Sequence, residues 1–331
     1  MAAEKARDGR ITNLRALAII IVVLGHSIIL YQDSWTLYTP AQPCAVLNAL
    51  KNCIDLIQMP LFFSLSGYLF LSGYKKYGFG ELLKKKAVRL LVPLAVFSLL
   101  WVLPVRLLVG YADYQGRSLA DVILRCFVLG ADNGHLWYLQ CLYVCFAAAW
   151  LALRLTDALK LKAAGDAVHF AAAIIMSRYI CGMIPARAET AILRTFYTNY
   201  VWFLAGFMLH RYVKYVGKLR KYSYALLLPL LLLLLRPAFG AFRYVLAAKL
   251  LALCLIHIIM TDKTCPASEY VSANSFGLYL LHSPLVYLTY TAIPNAHPLI
   301  VVGINFIVFG GLSLLLSARL AKSKLKFIIG G

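Results

Sequence analysis

Apolar runs recur along almost the whole chain, each ended by a short cluster of basic, amide, glycine or proline positions. A spanning helix needs about 17 to 25 predominantly apolar residues, and ten runs come near that length. They are Asn13 to Tyr31, Val46 to Leu71, Ala87 to Val109, His135 to Leu155, Asp166 to Ile184, Ile192 to Val213, Tyr222 to Leu235, Ala241 to Met260, Ala273 to Thr291 and Pro298 to Leu320. The seventh is short and the fifth is polar. The expected fold is all-α: a polytopic membrane protein of about ten transmembrane helices, forming one integral domain over residues 1–331 with no separate soluble domain.

The polar positions inside these runs carry the chemistry. Arg15 and His26 lie eleven apart in the first run. A helix turns about 100° per residue, so that spacing closes three turns to within roughly 20° and sets both side chains on one stripe, about 16 Å apart along the axis. An ionisable residue at membrane depth is costly, which makes it a candidate for function. The arginine fork suits a phosphate arriving from the cytosol. The imidazole suits a base that takes a proton from a hydroxyl at mid-membrane, and burial favours the neutral ring that a base requires. A snorkelling arginine and a hydrogen-bonded core histidine fit the same residues.

Other runs add polar stretches. Lys84, Lys85, Lys86 and Arg89 open the third helix. The lysines fit an anchor on the cytoplasmic side, while Arg89 lies within the apolar run and could frame a phosphate-binding mouth with Arg15. Met59 to Tyr68 combines a proline, two serines and a glycine, and Ser275 to Pro284 holds Tyr279 and His282 on one helix face. Both stretches predict irregular backbone, which membranes tolerate where it lines a cavity, although close serine–glycine packing fits the first equally well. Lys51 and Asp55, four apart, can neutralise one another, and Asp55 is also a candidate for orienting His26. Asn133 to Tyr138 joins a turn signal to His135, Trp137 and Tyr138, where His135 fits either contact with an extracytoplasmic substrate or an ordinary place at a helix start.

Composition agrees with a membrane chain. The sequence is 62% hydrophobic and 14% charged, against roughly 45–50% apolar residues in a soluble domain. The first run lacks a small-residue cleavage site and reads as a helix, not a signal peptide. The eight cysteines show no CxxC spacing and read as small core residues, so no metal site is expected. A net charge of +20 raises nucleic acid as a partner, but the basic residues sit in short loops and no nucleic acid is expected. About 21 of the 33 Lys and Arg fall in alternate segments, namely the N-terminus, the Lys75 to Lys86 and Arg154 to Lys162 segments, the Arg211 to Lys221 loop, Lys263 and the tail from Arg319. That bias places both termini in the cytoplasm.

Four stretches in this order resemble the acyltransferase-3 family of bacterial integral-membrane O-acyltransferases: Arg15 with His26, Met59 to Tyr68, His135 to Leu139, and Gly277 to Pro284. The resemblance runs over nearly the whole chain. It implies an acyl group, acetyl first and succinyl second, taken from cytoplasmic acyl-CoA and delivered to a hydroxyl of an extracytoplasmic glycan or other envelope molecule. It implies the bacterial cytoplasmic membrane, the lipid bilayer as surrounding, and acyl-CoA as donor substrate with no bound cofactor. Arg15 and His26 match the family's catalytic pair, His26 acting as base or transient acyl carrier. The family's Arg-x-x-Arg pair is matched by Lys86 and Arg89, which keeps the first cation without its bidentate geometry. Asp55, Ser66, Tyr68, His135, Trp137, Tyr138, Tyr279 and His282 are the expected substrate path. The family's extra esterase-like domain has no counterpart in this sequence. The alternative is a transporter or flippase of a glycan, amino acid or lipid-linked precursor, which would also use interrupted helices and intramembrane charge.

Overall fold

A computed structural model describes residues 8–35, 37–234 and 242–330. It is 84% helical, with no strand among the described residues. The principal helices are α1 (Gly9–Ser27), α2 (Ala45–Lys76), α3 (Phe79–Leu108), α4 (Trp137–Ala158), α5 (Lys162–Ile175), α6 (Ala191–Arg211), α7 (Ser223–Leu234), α8 (Phe242–Ile259), α9 (Pro266–Ala292) and α10 (Pro298–Ala321). Each apolar run falls on one of them. Leu235 and Ala241, at the ends of the seventh and eighth runs, lie outside the described residues. Among the described residues five stretches are long and apolar enough to cross a membrane: α1, α2, α3, α10 and Leu119–Ala158, which includes α4.

Local chemistry fixes the helix starts. The Asp8 carboxylate accepts from the Arg10 amide at 3.0 Å and so caps α1. Pro266 and Pro298 stand in the first turns of α9 and α10, where a missing N–H costs nothing. The α8–α9 connection is tied to α1: Arg10 Nε pairs with Asp262 at 2.7 Å, and the Asn13 amide donates to the carbonyls of Thr261 and Lys263, each at 2.9 Å.

Helix α1 packs against both α2 and α9, while α2 crosses α6 and α9 runs along α10. Lipid tails are as apolar as leucine, so close backbone approach must hold helices together here. At the α2–α6 crossing a Cβ on Gly206 would stand 1.8 Å from the Ser64 carbonyl oxygen, and one on Gly67 would stand 1.8 Å from that of Phe203. Around the crossing Phe63, Phe70, Phe203 and Phe207 fill the inner core. Tyr31, Tyr111, Tyr114, Tyr287 and Tyr290 fill a second core toward the other end of α1 and α9.

The irregular backbone does not fall where the sequence placed it. α2 passes through Pro60 and α9 through Pro284 as unbroken α-helix. A proline inside a helix removes one donor, and in α9 a side chain supplies the replacement: the His135 ring donates to the Leu280 carbonyl at 3.3 Å, the acceptor four residues before Pro284. Wider π-helical turns occur instead at Ala87–Leu91 and Ser98–Val102 in α3, and at Ile304–Phe309 in α10.

Candidate functional site

A cavity of about 430 Å³ lies between α1, α2, α3, α4 and α9. Its cationic wall is Arg15, Lys86 and Arg89, which the two helix starts bring together from distant parts of the chain. The Lys86 ammonium rests 3.7 Å from the centre of the Phe146 ring, so an aromatic face takes part of its charge. The apolar wall includes Phe62, Leu65, Leu90, Leu142 and Phe276, and the polar wall is Ser66, Tyr138, Ser272, Ser275 and Tyr279. Ser272 escaped the sequence reading, which began the polar stretch of α9 at Ser275. With Tyr279 and His282 they follow a spacing of three, four and three along α9, a stripe the sequence does carry.

Behind the cavity the polar groups continue as a connected series. The Tyr138 hydroxyl is 3.0 Å from Ser66 Oγ and donates to the Phe62 carbonyl at 3.2 Å. Its ring stands 5.7 Å from that of Tyr279, whose hydroxyl donates to the His135 carbonyl. The His135 ring lies 5.2 Å from the Tyr279 ring and 5.5 Å from the His282 ring. His26 completes the cluster, with its ring 6.2 Å from that of His135 and 5.0 Å from that of His282. His282 Nε2 and His26 Nδ1 are 3.0 Å apart, and His282 Nδ1 is 2.9 Å from the Leu278 carbonyl. Among the described residues no group of three or more His, Cys, Asp or Glu is arranged to hold a metal ion.

Three expected path residues stand elsewhere. Asp55 pairs with Lys51 and accepts from Gln58 and, at 2.7 Å, from Gln32, and none of these partners is His26, whose Nδ1 lies 3.0 Å from His282 Nε2. Tyr68 stacks on His210 at 4.3 Å and lines a separate cavity of about 50 Å³ with Arg10 and His257. Two residues of helix are about 200° of rotation, which turns Tyr68 away from the wall that Ser66 forms. Trp137 packs on Phe63 at 6.0 Å and does not line the main cavity.

Beyond the histidines lies an aromatic group absent from the sequence reading. Trp35 stacks on Tyr38 at 5.8 Å and meets Tyr290 at 5.9 Å, and Tyr38 stands 6.1 Å from Tyr287. The Tyr290 hydroxyl donates to the His26 carbonyl at 3.4 Å. The buried Arg106 anchors this side, donating to the Tyr287 hydroxyl at 3.1 Å, the Tyr114 hydroxyl at 3.3 Å and the Asp132 carbonyl at 2.5 Å. The signal was available as an arginine inside an apolar run, like Arg15.

The family model for acyltransferase-3, described as an acyltransferase domain, matches residues 8–321. No curated protein and no solved structure matches the chain.

Proposed function

The chain belongs to the acyltransferase-3 family, and from that membership we propose that it carries an acyl group, acetyl first, from cytoplasmic acyl-CoA to a hydroxyl of an extracytoplasmic glycan or other envelope molecule. The observation that carries this reading is the continuous series from a cationic wall, Arg15 with Lys86 and Arg89, through Tyr138 and Tyr279 to the paired rings of His282 and His26. One end suits the phosphates of a coenzyme and the other suits a proton acceptor.

In this reading about ten spans place both termini in the cytoplasm of a bacterial inner membrane, and the whole chain is one integral domain. Arg15, Lys86 and Arg89 hold the CoA phosphates, and the acyl arm rises past Ser66, Ser272 and Ser275 toward Tyr138 and Tyr279. The acceptor approaches from the opposite side, where Trp35, Tyr38, Tyr287 and Tyr290 offer ring faces on which a sugar can stack. His26 takes the proton of the acceptor hydroxyl as its oxygen attacks the thioester carbonyl. The C–S bond breaks, the C–O bond forms, and the proton passes to the departing thiolate as CoA–SH. The transporter alternative drew on interrupted helices, and α2 and α9 run unbroken through their prolines.

The test is transfer of label from acetyl-CoA to an envelope-glycan extract by purified protein in liposomes. Label transfer lost in His26→Ala, with weaker CoA binding in Arg15→Ala, is the expected result. Wild-type protein that neither binds nor consumes any acyl-CoA would overturn the reading.

A further inference from the structure

Two hydrogen bonds on α9 bear on which nitrogen of His26 is free to react, and the ring also faces the Val22 carbonyl of its own helix. The Leu278 carbonyl can only accept, so the His282 Nδ1 that lies 2.9 Å from it carries a hydrogen. Leu278 stands four residues before His282, so the helix itself presents this acceptor. A second proton on His282 would leave a cation on a buried ring with no carboxylate against it or against His26 among the described residues. The neutral ring therefore fits, and its Nε2 holds a lone pair. His26 Nδ1, 3.0 Å away, must then be the donor. In a neutral imidazole with its hydrogen on Nδ1, the lone pair sits on Nε2.

From this geometry we propose that His282 is a positioning residue, one that fixes His26 in the Nδ1–H tautomer and so makes His26 Nε2 the atom that takes the acceptor proton. The inference rests on the acyl-transfer reading above for its consequence, though not for its geometry. The arrangement has the form of a base held by an orienting partner, with a histidine and a backbone carbonyl standing where a carboxylate more often stands. Since His282 is neutral, it steadies the imidazolium formed during transfer by accepting its Nδ1–H, without adding a charge to the membrane interior. No covalent change occurs at His282: it keeps its own Nδ1–H throughout, while His26 Nε2 gains the hydroxyl proton and then gives it to the thiolate. The series also explains the place of His135. Its ring donates through Nε2 to the Leu280 carbonyl, so it is held by α9 from the other side and walls the His26–His282 pair without competing for either nitrogen of that bond.

The test compares wild type with His282→Phe and His282→Gln in liposomes, and reads ring-nitrogen chemical shifts of ¹⁵N-histidine-labelled protein, assigning His26 by difference from His26→Gln. The expected spectrum has His26 protonated at Nδ1 and bare at Nε2 in wild type, with that preference lost in His282→Phe. The expected kinetics are a fall in kcat of roughly 10² to 10⁴-fold for His282→Phe, acyl-CoA KM within about twofold, and partial recovery in His282→Gln, whose amide can both donate and accept. A merely structural role would not move the tautomer while leaving KM in place. The proposal is overturned if wild-type His26 carries its hydrogen on Nε2, or if His282→Phe keeps its kcat. Should wild type transfer no acyl group at all, the functional reading fails, and the nitrogen spectrum still decides the tautomer.

Discussion

His135 occupies the hydrogen bond that Pro284 cannot make. The ring donates at 3.3 Å to the Leu280 carbonyl, which a proline four residues later leaves without its usual amide donor. The proline is thus an attachment point for a side chain from the other wall of the site. Pro284→Ala gives Leu280 a backbone donor and releases His135. The expected outcome is a Tm equal to or above that of wild type together with a transfer rate reduced about tenfold or more, read by thermal melting and by label transfer. Unchanged transfer would sever the link between this carbonyl and the site.

The α2–α6 crossing tolerates no side chain at Gly206. A methyl group there would meet the Ser64 carbonyl oxygen at 1.8 Å, backbone that cannot rotate away, whereas one on Gly217 meets nothing within 4 Å. Gly206→Ala is expected to cost about 3 kcal/mol or more, at the upper end of overpacking effects, and Gly217→Ala next to nothing. The monodisperse yield from detergent and the Tm check both. Equal behaviour of the two variants would show that this crossing does not hold the bundle together.

At the cationic wall the two side chains of α3 differ in kind. Arg89→Ala removes a fork that can grip a phosphate, worth about 1.5 kcal/mol or more for a charged hydrogen bond, so KM for acyl-CoA should rise at least about tenfold. Lys86→Arg adds a second fork and should lower that KM, with the gain shrinking as salt is raised. Initial rates at low and high ionic strength decide. A KM indifferent to both substitutions would move the donor elsewhere.

Cys265 gives both a topological and a pH readout. It is exposed at the start of α9, where the Ser268 amide donates to its Sγ at 3.5 Å; that bond first, and the Ser268 side chain second, hold the thiol below its usual range. A lower thiol pKa means more thiolate at any given pH. Maleimide labelling of a variant that retains Cys265 alone should therefore reach half its limiting rate at a lower pH than a free cysteine derivative does. Ser268→Ala keeps the amide and removes only the side-chain contribution, so it should move the profile part of the way upward. If both termini are cytoplasmic, an impermeant reagent will label inverted vesicles and spare intact cells; the reverse pattern would invert the proposed orientation.

Much of the site was legible because helical periodicity carries it. The eleven-residue step put Arg15 and His26 on one stripe, and the turn-and-aromatic cluster around His135 marked the far end of the site. Phase around α2 was equally readable, yet Ser66 and Tyr68 were grouped although they point about 200° apart. What periodicity cannot carry is the meeting of distant helices. Asp55 looked suited to orient His26, being on the next helix in the chain, but the partner is 256 residues away on α9. Helix breaks at Pro60 and Pro284 were expected from residue type alone, yet both helices continue through their prolines, at Pro284 with a neighbouring side chain on the carbonyl it frees.

The clasp of Arg10 and Asn13 onto residues 261–263 gives the molecule a birth order. The first helix leaves the ribosome with a cation and an imidazole destined for the interior, and the partner that settles that imidazole is 256 residues downstream. At roughly 5–20 residues per second, α1 waits about 13 to 50 s in the membrane before α9 arrives to close over it. Until then His26 lacks that partner, and the latch at residues 261–263, made before α9, already holds α1 beside the place where α9 begins.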